Sequence, residues 1–338
     1  MSVIHLFYLL VVLWLAGCGP GGEPVLGEGF VAPATLNLRK ELGPRQPSVA
    51  TVQHGQRVEI LAKRRRFVKV RTQSGAVGWI DGGLLFSPEQ MEELRALGAR
   101  AAKLPSHGEA TVLDALNVHT HPDRLSPSFH QIREGQHVAV VEHRLITTET
   151  RKQDWTLVRI SPAQAGWVLT RNLYMAIPDE VAQYAEGHRI TSYFQLGEVR
   201  DGDLVKHNWL WTTIAKGLEP YEFDSFRVFV WSLRRHRYET AAIERGLKGY
   251  FPVVVQSDPG TPASFSLIVE DKTGTLQRRT YAFQGFRVRL VAKEPWNPEA
   301  QTSAPAEAKS RVQAGSGQSF LDRTAQRLAA WRRRLLGR

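Results

Sequence analysis

Apolar and polar residues alternate along most of this chain in short bursts, such as Val58/Ile60 and Val68/Val70, each bounded by glycine, proline or charged turns. A period of two marks strands with one buried face. The bursts also repeat. ATLNLR (34–39) is echoed by DALNVH (114–119), GQRVEI (55–60) by GQHVAV (135–140), FVKVR (67–71) by WTLVR (155–159) and GWI (78–80) by GWV (166–168). The first two matches are offset by 80 positions and the last two by 88, so extra residues around 145–153 lengthen one hairpin tip of the second copy. Roughly five short strands in about 60 residues predict a small closed barrel, which leaves no strand edge exposed.

Helical spacing interrupts this pattern twice. Ser87-Pro88-Glu89-Gln90 is a capping box with proline at the first helical position, and Leu94, Leu97 and Ala101 then fall on one stripe. This predicts a linker helix over 87–105. Pro178-Asp179-Glu180 opens a shorter helix to about Glu186, within a helical connector over 177–200. From 203 to 292 the chain becomes rich in aromatic and β-branched residues. HNWLWTTI, SFRVFVWSL, RYETAAI, GYFPVVVQ, ASFSLIVE, LQRRTYAF and FRVRLV read as seven strands, separated by turns such as Ser257-Asp258-Pro259-Gly260 and Asp271-Lys272-Thr273-Gly274. Such a series resembles an immunoglobulin or fibronectin β-sandwich. Residues 297–319 have linker composition. Over 320–338, Leu321, Leu328, Trp331 and Leu335 recur at helical spacing among arginines. That basic amphipathic helix suits an anionic phospholipid surface, or docking on the protein itself.

The N-terminus adds an address. Residues 3–16 are apolar except for His5 and Tyr8, too short to span a bilayer but suited to a signal-peptide core. Leu15-Ala16-Gly17-Cys18 resembles the lipobox of bacterial lipoproteins. The resemblance implies removal of residues 1–17, acylation of Cys18 and a tether over 18–29. An ordinary secretory signal and an uncleaved anchor are the alternatives, since no Lys or Arg precedes the apolar core. Gly19, not Asp, follows the cysteine, which by the same resemblance implies, in a cell with two membranes, the outer membrane facing the periplasm.

The order L-N-x-R, G-Q-x-V, aromatic-x-x-V-R and G-W-(V/I) resembles the bacterial SH3-like (SH3b) domains. It covers 30–86 and, with Asp114 and His119 as departures, 110–175. The stretch RRHRYETAAIERGLKGYFPV is similar to an uncharacterised domain found after SH3-like repeats. The expected architecture is all-β: two small SH3-like barrels and a C-terminal β-sandwich, with short linking helices.

Charge and chemistry narrow the function. The 338 residues carry a formal net charge of +11, to which residues 1–17 contribute nothing. A basic exported surface favours phospholipid head groups or cell-wall polymers over nucleic acid. SH3-like repeats often accompany NlpC/P60 peptidases, which need a catalytic Cys and His, but Cys18 is the sole cysteine. No G-x-S-x-G, Walker A, H-E-x-x-H or Rossmann pattern occurs. Asp271-Lys272-Thr273-Gly274-Thr275-Leu276 resembles the phosphorylation motif of P-type pumps, yet only 67 residues follow Asp271. A hairpin turn accounts for it. His119 and His121, with His130 or His137, lack accompanying ligands at metal spacing and read as solvent-facing. No cofactor or metal is expected. Paired acids converging from distant strands stay open. Phe67, Trp79, Trp155 and Trp167 are the candidate ligand-binding aromatics, with barrel packing the competing role for Trp79 and Trp167. Lys63-Arg64-Arg65-Arg66 reads as a hairpin tip, either solvated or in contact with acidic wall or lipid. The expectation is a non-enzymatic envelope lipoprotein that binds peptidoglycan or an envelope protein. A wall hydrolase with its site in the C-terminal domain and a purely protein-binding scaffold are the alternatives.

Overall fold

The computed structural model describes residues 23–297 apart from Pro44, Thr150 and 258–261. Cys18, the signal segment, the linker beyond 297, the basic terminal helix and most of the 257–260 turn lie outside the described residues. The chain divides into two compact units, one running to Ala96 and including Pro127–Gln131, the other formed by the remainder.

The first sheet comprises β1 (Gly27–Val31), β2 (Thr35–Arg39), β3 (Ser48–Gln53), β4 (Arg57–Arg64), β5 (Phe67–Thr72), β6 (Val77–Asp81) and β7 (Leu85–Phe86), in the order β3-β2-β6-β5-β4-β1-β7. Alternation sorts its faces: β5 buries Val68 and Val70 and turns Phe67, Lys69 and Arg71 the other way. Val31, Leu38, Val52, Val58 and Ile80 complete the core. Gly78 lets β2 approach, because a Cβ there would lie 2.9 Å from the Arg39 carbonyl oxygen. Arg65, at φ 56°, and Arg66 form the two-residue tip joining β4 to β5.

Helix α1 (Pro88–Lys103) starts at the expected box: Gln90 N–H donates to Ser87 Oγ at 3.2 Å and Ser87 N–H to Gln90 Oε1 at 2.9 Å. In the first unit Met91 and Leu94 are buried. In the second, Leu97 and Ala101 pack against Trp155, Leu157 and Trp167.

The second sheet holds β8 (Glu109–Val112), β9 (Leu116–His119), β10 (Ser128–Ile132), β11 (His137–Thr147), β12 (Lys152–Ser161), β13 (Gln164–Leu169) and β14 (Leu173–Met175). Its order, β10-β9-β13-β12-β11-β8-β14, is that of the first sheet with every strand moved seven places along the chain. The longer hairpin expected in this copy is β11–β12, paired out to Thr147 and Lys152.

After α2 (Asp179–Ala182) and a 3₁₀ turn at Gln183–Ala185 comes the third sheet. It consists of β15 (Arg189–Asp201), β16 (Leu204–Ile214), β17 (Phe223–Ser232), β18 (Arg237–Gln256), β19 (Ser264–Glu270), β20 (Leu276–Gln284) and β21 (Arg287–Pro295), each paired to the next. The all-β class holds, but the connectivity corrects the sandwich expectation. This is one antiparallel meander, without the strand crossing that builds two facing sheets. Residues from all seven strands, among them Leu196, Leu210, Phe226, Phe265, Tyr281 and Val288, meet in one cluster, so the sheet curls around its own core. Its other apolar surface, with Trp209, Trp211, Phe229 and Tyr238, is covered by Ala110, Val140, Met175, Ile177 and Val181. Two boundaries also move. Residues 189–200, expected in a helical connector, belong to β15. The stretches RYETAAI and GYFPVVVQ are one strand, since Gly246 at φ 72° sits in a bulge and not a reversal.

Candidate functional site

In the first sheet, Phe67 and Trp79 lie on one outward face. Lys69 is paired with Trp79 and Phe67 with Asp81, which makes the two aromatics diagonal neighbours. Both are half-buried. Cations surround them: Arg39 lies opposite Trp79 on β2, the Arg66 guanidinium sits 5.0 Å from the Phe67 ring centre, and Lys63 to Arg66 are exposed at the hairpin tip. Some of this charge is compensated. Arg66 approaches Asp81 at 3.3 Å, Arg71 meets Glu59 at 2.8 Å and Lys69 is paired with Glu23. The face is aromatic at its centre and cationic at its edge.

The same positions in the second sheet are closed. Trp155 and Trp167 are 0% and 3% exposed, in a cluster with Leu157 and Ala165 beneath Leu97, Ala101 and Leu104. Helix α1 comes close because residue 98 is glycine; a Cβ there would stand 2.3 Å from the Ala163 carbonyl oxygen. Arg159 clamps the helix end, donating from Nη2 to the carbonyls of Ala101 at 3.0 Å and Leu104 at 2.8 Å. The ligand face expected for Trp155 and Trp167 is therefore corrected, and Trp167 takes the packing role that the sequence also offered it. They anchor a helix. The distinguishing signal lies between them and their counterparts: Leu157 replaces Lys69, and Ala165 replaces Val77. Elsewhere, His119 bonds the Ser126 carbonyl at 3.0 Å through Nδ1. Asp271 Oδ1 accepts from the N–H groups of Thr273 and Thr275 at 2.8 and 3.0 Å, the geometry of a turn.

A small cleft open to solvent, which the sequence patterns do not signal, lies in the second unit. Val140, Met175 and Phe251 form apolar walls, while His143, Arg189 and Glu222 supply polar groups. Asp154 ties two of these together, accepting from Arg189 Nη1 at 2.9 Å and contacting His143 Nε2 through its other oxygen. Burial works to raise the Asp154 carboxyl, but His143 and Arg189 outweigh it and hold the group below its usual range. Glu222 goes the other way. Burial pushes it up to about 8, with the Asp154 and Glu142 carboxylates adding to the rise, although backbone N–H groups including that of Phe251 bond its charged form. Its Oε2 is buried without a partner. Behind Phe251, the His107 ring stacks at 3.9 Å with neither nitrogen bonded. Burial, then the charge of His143, lowers it to about 3, so it is neutral at physiological pH.

With this geometry in place, comparison with known proteins assigns one module. Residues 34–86 match the bacterial SH3 domain. No curated protein matches the chain. Among solved structures, an NlpC/P60 family protein from Bacillus cereus is 13% identical, covering 51% of this chain and 65% of that one, with a TM-score of 0.22. The chain thus spans just under two thirds of that protein. NlpC2 from Trichomonas vaginalis is 11% identical over 82% of this chain and 99% of that one, with a TM-score of 0.17. Likeness at these scores carries no inference about this chain.

Proposed function

We propose that this chain is a non-enzymatic lipoprotein of the bacterial cell envelope that binds peptidoglycan through its first barrel. Cys18 carries the lipid anchor, and residues 110–175 form a second SH3-like barrel that has exchanged ligand binding for packing against α1. The observation that carries the reading is the bacterial SH3 match over residues 34–86, a module type that commonly binds peptidoglycan, together with its open face around Phe67 and Trp79. Aromatic faces stack on sugar rings and peptide groups, and surrounding cations draw in an acidic polymer. The fold alone does not dictate a ligand, so the open face around Phe67 and Trp79 is what supports the reading.

Sedimentation of the full chain with purified, insoluble peptidoglycan tests this. Retention at low salt that falls as ionic strength rises is expected, because screening shortens the reach of surface charge to about 3 Å at 1 M. No sedimentation even at low salt would remove the reading, and release of soluble wall fragments would replace it with a hydrolase. The anchor has its own test. Cys18→Ser should leave the membrane fraction, and the parent should carry acyl mass on Cys18.

A further inference from the structure

The cleft in the second unit lies outside the wall-binding reading. Its unmet chemistry is specific. The Thr156 and Thr170 hydroxyls satisfy each other at 2.9 Å, and Thr191 is bonded to Thr212 at 2.7 Å. Two lining groups retain bonding capacity. Glu222 keeps a buried oxygen without a partner. Arg189, with 35% of its side chain exposed, has one of its five N–H donors on Asp154. Apolar walls, including Phe251 and Met175, flank them. The charges around Glu222 favour a cation beside it. Asp154 and Glu142 bear negative charge, and His107 behind Phe251 is neutral. His143 and Arg189 are the remaining titratable groups of the lining, and both are directed onto Asp154.

We infer that this cleft binds a small zwitterion, a free amino acid, with its ammonium on Glu222 and its carboxylate on Arg189. A short apolar side chain occupies the wall between them. Binding releases a proton. Empty, Glu222 is protonated at neutral pH. An incoming ammonium favours the carboxylate, so the O–H bond of Glu222 breaks, its electron pair stays on the carboxylate, and one proton leaves to solvent. Affinity therefore rises with pH, about tenfold per unit below the carboxyl's titration point and levelling above it.

Three probes with one apolar tail separate the possibilities: L-leucine, isopentylamine and 4-methylpentanoate. Titration calorimetry of the full chain at pH 6, 7 and 8, in phosphate and in Tris, reads affinity and proton release together. L-Leucine is expected to bind at least tenfold more tightly than either singly charged analogue, releasing close to one proton at pH 6–7. Glu222→Gln, similar in shape and checked for folding by circular dichroism, is expected to lose at least tenfold in L-leucine affinity and to lose the pH dependence. No heat from L-leucine, or equal binding by 4-methylpentanoate or by isopentylamine, overturns the proposal, as does a Glu222→Gln variant that binds like the parent. The Phe67 and Trp79 face belongs to the first unit, so sedimentation with wall is scored separately and stands or falls alone.

Discussion

Replacing Gly98 with alanine sets two physical effects against each other. Helix propensity alone predicts a gain, since alanine in a helix interior is favoured over glycine by about 0.8–1.0 kcal/mol. The packing predicts a loss. The new Cβ would stand 2.3 Å from the Ala163 carbonyl oxygen and 3.2 Å from its carbon, both backbone atoms of the β12–β13 connection. Real Cβ atoms do not approach below 3.0 Å, so α1 must retreat by more than half an ångström. That retreat loosens Leu97 and Ala101 over Trp155 and Trp167 and lengthens the Arg159 bonds to the helix end. Overpacking of this kind costs roughly 1–3 kcal/mol, which exceeds the propensity gain. Urea unfolding followed by tryptophan fluorescence should show a net loss of up to about 2 kcal/mol in the second unit, with greater acrylamide quenching before the transition. A Gly98→Ala variant more stable than the parent, with unchanged quenching, would refute the close approach of helix and barrel.

Three further outcomes follow from named contacts. Arg159→Met should destabilise the second unit by about 1–3 kcal/mol in the same urea assay, because two helix-end carbonyls lose a charged donor. Ser87→Ala removes half of the reciprocal cap and should cost about 1 kcal/mol, with less helical circular dichroism. Glu222→Gln should stabilise the protein in a pH-dependent way. The folded carboxyl is raised from 4.5 to about 8, so below pH 4.5 it is neutral in both states. Between those values the unfolded chain ionises first, and the parent loses stability as pH rises. The ceiling at about 1.4 kcal/mol per unit is roughly 5 kcal/mol, and Glu222 retains some solvent contact, so a gain of about 2 kcal/mol at pH 8.5 that vanishes at pH 4 is expected in thermal unfolding. A constant difference across that range would contradict the burial of Glu222.

What the sequence made legible was local. The repeated motifs correspond to two sheets of identical strand order, the Ser87–Gln90 box caps a real helix, and Asp271 to Gly274 form a real turn. Alternation reports which face of a strand is buried, not what buries it. Trp155 and Trp167 therefore looked like Phe67 and Trp79, and the difference rests on Leu157 in place of Lys69 and on a glycine in a helix far back in the chain. RYETAAI and GYFPVVVQ read as two strands because apolar alternation breaks at a bulge, with Gly246 at φ 72°, as it does at a turn. β15 was hidden behind a genuine helix start at Pro178. The cleft was not legible at all. Glu222 precedes β17, Phe251 is in β18 and Asp154 is in β12, and no periodicity relates them.

On the proposed reading the open face of the first barrel holds the wall, while the corresponding face of the second sheet, around Trp155 and Trp167, is sealed. This reading is tested most directly by measuring the fraction of full chain that sediments with purified peptidoglycan for Trp79→Ala, Lys69→Glu and the parent, alongside Tyr174→Ala, an exposed aromatic of the second sheet. At least a tenfold loss of apparent affinity is expected for the two first-barrel variants and none for Tyr174→Ala. Parent-like sedimentation of both Trp79→Ala and Lys69→Glu would contradict it.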